Sequence, residues 1–255
     1  MANWTRDQLL AALNLYHRTP FGRQHKTYPP IVELAALIGR TPSAVAMKLN
    51  NFTSLDEAEL ERGVVGLSGA SNADRAIWEE FEGRMNDLAE ESEASMERLA
   101  HTDSGLKPEK EPVPPNGPSE STATVKIRRQ QTFFRKAVLG SYGFRCCITG
   151  NPVPELLRAS HIVPWSQNEA HRANPRNGLC FAATFDVAFD RGLFTLDDSC
   201  RIILSPRLKH YLPNPELERT FVEAEGRQIT FPDKNLPDLQ LVAHHRTLFS
   251  PESNA

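Results

Sequence analysis

The chain has 255 residues, 40% hydrophobic and 24% charged, which is enough for two modest domains with cores of their own and excludes a wholly disordered chain. No apolar run reaches the ~20 residues that span a bilayer, and Met1-Ala2-Asn3-Trp4-Thr5-Arg6-Asp7 lacks the basic-then-apolar pattern of a signal peptide, so a cytoplasmic protein with no membrane partner is expected. The net charge of −3 argues against a uniformly basic nucleic-acid binder, yet the charge is uneven.

From the N-terminus, Thr5-Arg6-Asp7-Gln8 has the capping-box pattern, in which the Thr hydroxyl and the Gln side chain satisfy each other's backbone N–H groups. Leu9, Leu10, Leu13 and Tyr16 follow at helical spacing, and Thr19-Pro20-Phe21-Gly22 ends the helix. Pro29-Pro30 opens a second helix with Ile31, Leu34, Ala35 and Ile38 on its apolar face. Gly39 suits the left-handed position past that helix, Thr41 caps a third helix, and Pro42 takes its first turn. The spacing of Ala35, Gly39 and Val45 is that of a helix-turn-helix. Arg40 in the turn, with Ser43, Lys48, Asn50 and Asn51 on the second helix, forms a set able to reach bases or phosphates; a purely structural helical pair is the alternative.

One long helix is expected from Ser71 or Asn72 to Leu99, with Ala73, Ile77, Phe81, Met85 and Leu88 along one stripe. Between Asp74 and Arg98 lie nine acids and three bases, whereas Val125–Arg145 holds six bases (Lys126, Arg128, Arg129, Arg135, Lys136, Arg145) and no acid. The basic stretch, with Arg128, Arg129 and Arg135 foremost, reads equally as a phosphate-binding patch or as a solvated helix face. Between the two runs, residues 101–124 are rich in Pro, Glu, Ser and Gly and form the expected linker.

Arg128 to Tyr142 reads as a helix with Phe133, Phe134, Ala137, Val138 and Leu139 inward. A strand over Leu156–Val163, a loop, a strand over Gly178–Phe181 and a short helix over Thr184–Asp190 follow, then a hairpin around Asp197-Asp198 and a last helix near Leu239–Phe249. Cys146, Cys147, Cys180 and Cys200 include no C-x-x-C pair, so buried free thiols are expected rather than a structural zinc or a disulfide framework. His171, His210, His244 and His245 read as surface or packing residues.

His161 closes the first strand, Asn177 comes sixteen positions later and Asp186 nine after that. An imidazole to deprotonate water, an amide to hold the loop and a carboxylate for a hard cation suit metal-assisted attack on a phosphodiester. The runs Phe144-Arg145-Cys146-Cys147-Ile148-Thr149-Gly150, Ala159-Ser160-His161-Ile162-Val163-Pro164-Trp165, Asn177-Gly178-Leu179, Phe189-Asp190-Arg191-Gly192-Leu193 and Ala243-His244-His245-Arg246-Thr247-Leu248-Phe249 together resemble the HNH (ββα-metal) endonucleases of the bacterial restriction-like subgroup, over about Gln130 to Phe249. The stretch Arg40–Phe52 is similar to a helical module that often precedes them.

The resemblance implies that His161 is the general base, Asn177 orients the hairpin, and Asp186 binds Mg²⁺ or Mn²⁺. It implies double-stranded DNA as partner and, by analogy with reader-plus-cutter enzymes, restriction of DNA that carries modified cytosine. A homodimer would meet the need to cut two strands with one site per chain. Ser160 stands where the family often has an acidic ligand, and Asp190 reads as a structural helix partner or a group behind the site. A non-catalytic DNA-binding regulator on the same scaffold is the alternative. The expected architecture is α+β: a mainly helical, helix-turn-helix-like recognition domain over 1–100, a Pro-rich linker over 101–124, and a ββα-metal HNH nuclease domain over 125–255.

Overall fold

A computed structural model describes residues 3–103 and 118–248. The greater part of the expected linker, 104–117, lies outside the described residues, as does Phe249 at the end of the expected last helix. The chain divides into two compact units, Met1–Ala137 and Val138–Ala255. No described helix is long and apolar enough to cross a membrane.

The first unit is helical: α1 (Arg6–His17), α2 (Pro29–Leu37), α3 (Pro42–Thr53), α4 (Glu57–Glu61), α5 (Asn72–Phe81), α6 (Met85–Asp103) and the start of α7 (Pro118–Ser141). The local signals at the first three helices act as expected. Thr5 and Gln8 form the capping box of α1, Gly39 is left-handed at φ 64°, and Thr41 accepts from the Ala44 N–H ahead of Pro42. Leu10, Leu13, Tyr16, Ile31, Leu34, Val45, Leu49 and Phe52 are buried where α1, α2 and α3 meet. The segment after α4 passes so close to the end of α3 that a Cβ on Gly66 would lie 2.4 Å from the Ser54 nitrogen, while Leu67 donates its N–H to the Asn50 carbonyl.

The single helix expected over Ser71–Leu99 is two helices. Gly83 sits between α5 and α6 with φ 68°, a left-handed turn that no continuous helix tolerates. The periodic stripe continued across the break, so periodicity alone concealed it. Helix α7 begins at Pro118, ten residues before the expected Arg128. Within this unit the acidic and basic runs neutralise each other: Lys126 pairs with Glu90 at 2.7 Å, Arg129 with Glu97 at 2.6 Å and Lys136 with Glu93 at 3.1 Å.

The second unit holds two hairpins. Strands β1 (Leu157–His161) and β2 (Gly178–Ala182) pair antiparallel, with Ser160 opposite Leu179 and His161 opposite Gly178. Helix α8 (Ala183–Asp190) packs on that hairpin. Strands β3 (Phe194–Leu196) and β4 (Ile202–Leu204) form the second pair, followed by α9 (Pro206–Lys209), α10 (Pro215–Thr220) and α11 (Leu239–Leu248). An aromatic cluster of Phe181, Phe185, Phe189, Phe194 and Phe221 joins β2, α8 and β3, with edge or tilted contacts at centroid distances of 5.3–6.5 Å. All four cysteines are buried in this unit.

Candidate active site

His161 ends β1, where a strand terminus delivers its side chain onto the loop that joins the two strands. Its Nε2 lies 2.9 Å from the Arg172 carbonyl oxygen. A carbonyl can only accept, so Nε2 carries the proton and the neutral ring keeps its basic lone pair on Nδ1. Burial pushes the His161 pKa down, against the opposing pull of the Arg172 carbonyl and the charge of Asp186. The imidazole is therefore neutral at pH 7, the form a general base needs. Trp165 meets the ring edge-on at 5.7 Å. Arg172 places its guanidinium over Trp165 at 5.2 Å and donates Nε–H to the Trp165 carbonyl at 3.1 Å. Trp165 and Arg172 were not singled out in the sequence as site residues. Only the folded loop sets them beside His161.

Asn177 braces the same loop. Its Nδ2 donates to the carbonyls of Val163 (3.1 Å) and His171 (3.3 Å), its Oδ1 accepts from the Val163 N–H (2.9 Å), and its own carbonyl accepts from the Ile162 N–H (2.8 Å). At 1% exposure, an amide with both ends satisfied holds the turn that follows His161.

Asp186 and Asp190 lie one turn apart on α8, and neither side chain forms an ion pair among the described residues. Burial pushes the Asp190 pKa up to about 6, with the neighbouring charge of Asp186 adding to it and Arg191 opposing. A carboxylate raised by burial and by a neighbouring carboxylate suits a cation beside it. Among the described residues, no group of three or more His, Cys, Asp or Glu side chains could hold a metal ion, so water or phosphate oxygens would have to complete a shell begun by this pair. Asp190, for which the sequence left a structural partner and a group behind the site both open, lies one turn from Asp186 on the same helix. Its four-residue spacing was the signal for it.

Ser160 and His161 are consecutive in a strand and project to opposite faces. Ser160 is 2% exposed and its Oγ is buried with no hydrogen-bond partner among the described residues. It is a buried strand residue, while His161 is half-buried.

Residues 146–197, which hold His161, Asn177, Asp186 and Asp190, match the HNH endonuclease family. Over that segment the chain is similar to HNH endonuclease domains. No curated protein matches the chain. The HNH segment lies wholly in the second unit and stops before α11.

The residues expected to touch DNA fare differently. Lys48 is 6% exposed, forms an ion pair with the fully buried Asp74, and lies 4.8 Å over the Trp4 ring. Asn51 donates to Asp74 at 3.2 Å, and Asn50 donates to the carbonyls of Gln24 and Ala46. Arg40 donates to the Asn3 carbonyl and to Gln8, and Arg129 is held by Glu97. Lys48, Asn50, Asn51, Arg40 and Arg129, all expected at DNA, each have a partner within the first unit. Ser43, Arg128 and Arg135 are exposed.

Proposed function

We propose that this chain is a metal-dependent DNA endonuclease in which unit two cuts and unit one recognises. The reading rests above all on His161: a half-buried ring, its tautomer set by the Arg172 carbonyl, within electrostatic reach of Asp186 in a segment that matches the HNH endonucleases. In this reading His161 Nδ1 takes a proton from the attacking water. Asn177 keeps the turn rigid, so the base does not swing away from the phosphate. Asp186, joined by Asp190, would hold Mg²⁺ or Mn²⁺, which supplies Lewis-acid stabilisation of charge on the phosphodiester. Arg128 and Arg135, both exposed, would meet the DNA backbone, and Ser43 is an exposed hydroxyl on the helix-turn-helix-like pair.

The biological role in this reading is restriction of incoming DNA, with modified cytosine as the mark and a homodimer as the species that cuts both strands. The test is digestion of plasmid DNA with and without modified cytosine, in Mg²⁺ and then Mn²⁺. Cleavage by wild type and none by His161→Ala supports the nuclease. Equal cleavage by both overturns the role of His161. Cleavage confined to modified DNA supports the restriction reading, and equal cleavage of both substrates removes it. A second reading, a DNA-binding regulator without catalysis, is favoured by Ser160, a buried hydroxyl where an acidic ligand would stand. It predicts retarded DNA in a gel and no cleavage with either ion.

A further inference from the structure

His245 lies on α11, beyond the HNH segment, and reads from the sequence as a packing or surface residue. It is 1% exposed, and its ring stacks on that of Phe189 with centroids 3.7 Å apart and planes 4° from parallel. Nε2 faces the Phe189 carbonyl at 3.3 Å and therefore donates, while Nδ1 accepts from the Thr195 hydroxyl at 2.8 Å. Phe189 stands on α8 between Asp186 and Asp190, and Thr195 stands on β3. Next to it, Arg246 donates to the Leu196 carbonyl at 2.8 Å and pairs with Asp198, so α11 grips β3 as well.

We infer that His245 is a positioning residue for the carboxylate pair: it fixes the last turn of α8, and with it the separation of Asp186 from Asp190, from a helix outside the HNH segment. Stacking alone could be done by phenylalanine. A neutral imidazole adds a donor at one edge and an acceptor at the other, so it ties the α8 backbone to β3 through one ring. Rotation of the last α8 turn would move Asp190 relative to Asp186. The inference rests on the reading of Asp186 and Asp190 as the cation-holding pair.

The experiment compares wild type, His245→Ala, His245→Gln, His245→Phe and Asp186→Ala. It measures Mn²⁺ affinity of the full chain by calorimetry without DNA, kcat and KM on plasmid DNA, and the melting temperature. His245→Ala is expected to weaken Mn²⁺ binding and lower kcat by about 10- to 100-fold, the usual effect of losing a partner that orients a ligand. KM for DNA should stay unchanged, and His245→Gln, which keeps a donor and an acceptor, should recover part of the loss. Wild-type Mn²⁺ affinity and kcat in a folded His245→Ala protein would overturn the inference. If His245→Ala does not fold, His245→Phe decides, since it keeps the stack and loses both hydrogen bonds. Weakened Mn²⁺ binding by the folded protein supports the role, and unchanged binding removes it. Asp186→Ala separates the levels: unaltered binding and cutting there would overturn the site reading and this inference together, whereas loss in Asp186→Ala beside wild-type behaviour in His245→Ala overturns the positioning role alone.

Discussion

The first unit and the α8 face of the second treat charge in opposite ways. In the first, ionic groups from core to surface come with partners: Lys48 with Asp74, Arg129 with Glu97, and Lys136 with a Glu93 that also receives Asn14 at 3.0 Å. In the second, the side chains that stand out are those whose charge is not balanced: Asp186 and Asp190 share one helix face, and His161 is kept neutral by burial. A balanced charge is architecture. An unbalanced one, held in place by its neighbours, is where a ligand can be recruited. The contrast explains why the polar residues of α3 are poor candidates for contact with DNA and why the α8 carboxylates are good ones for contact with a cation.

The contrast breaks first if His161→Ala still cuts. Loss of a general base is expected to lower kcat by about 10²- to 10⁴-fold, with the melting temperature barely changed, as read by plasmid nicking and a thermal melt. The first unit should respond in stability instead. Asp74→Ala leaves Lys48 buried without its carboxylate and is expected to cost about 3–5 kcal/mol in urea unfolding, with kcat per folded molecule unchanged. Burial works to raise the Asp74 pKa, but Lys48, the Ser71 N–H and Asn51 together hold it below the usual carboxylate range.

Next in size is a pH effect. Burial drives the His245 pKa down to about 4, opposed by the Phe189 carbonyl and aided by His244 and Arg246. A depressed folded-state value means that the stability is fully present above the unfolded value near ~6.5 and is lost as pH falls toward ~4, a contribution of about 3 kcal/mol. Urea unfolding of wild type and His245→Phe across that window should show the loss in wild type and not in the variant. Asp190 runs the other way: its value is raised to about 6, so its contribution is present below the unfolded range near ~4 and is lost as pH rises through 6. Asp190→Asn should remove that slope. The smallest effect expected is that of Arg129→Gln, because a surface pair such as Arg129–Glu97 contributes about 1 kcal/mol or less. A larger loss of DNA affinity than of stability in that variant would restore Arg129 to the DNA contacts.

Much of the fold was legible because its signals are local. Thr5 and Gln8, Thr41 and Pro42, and Gly39 specify helix ends through groups within three or four residues. The strands expected over Leu156–Val163 and Gly178–Phe181 form as Leu157–His161 and Gly178–Ala182, in a hairpin that sets His161 opposite Gly178. The break at Gly83 was missed because the apolar stripe keeps its period on both sides of it. The ion pairs of Lys48 and Arg129 were not legible because their partners, Asp74 and Glu97, lie 26 and 32 positions away.

The sequence by itself determined the helix caps, the hairpins and the HNH pattern of His161, Asn177 and Asp186, because each depends on spacing along the chain. Only the tertiary structure decided which charges are balanced, which nitrogen of His161 is basic, and that His245 reaches α8. Burial, mutual charge and a carbonyl eleven residues away control those outcomes, and they exist only once the chain has closed on itself.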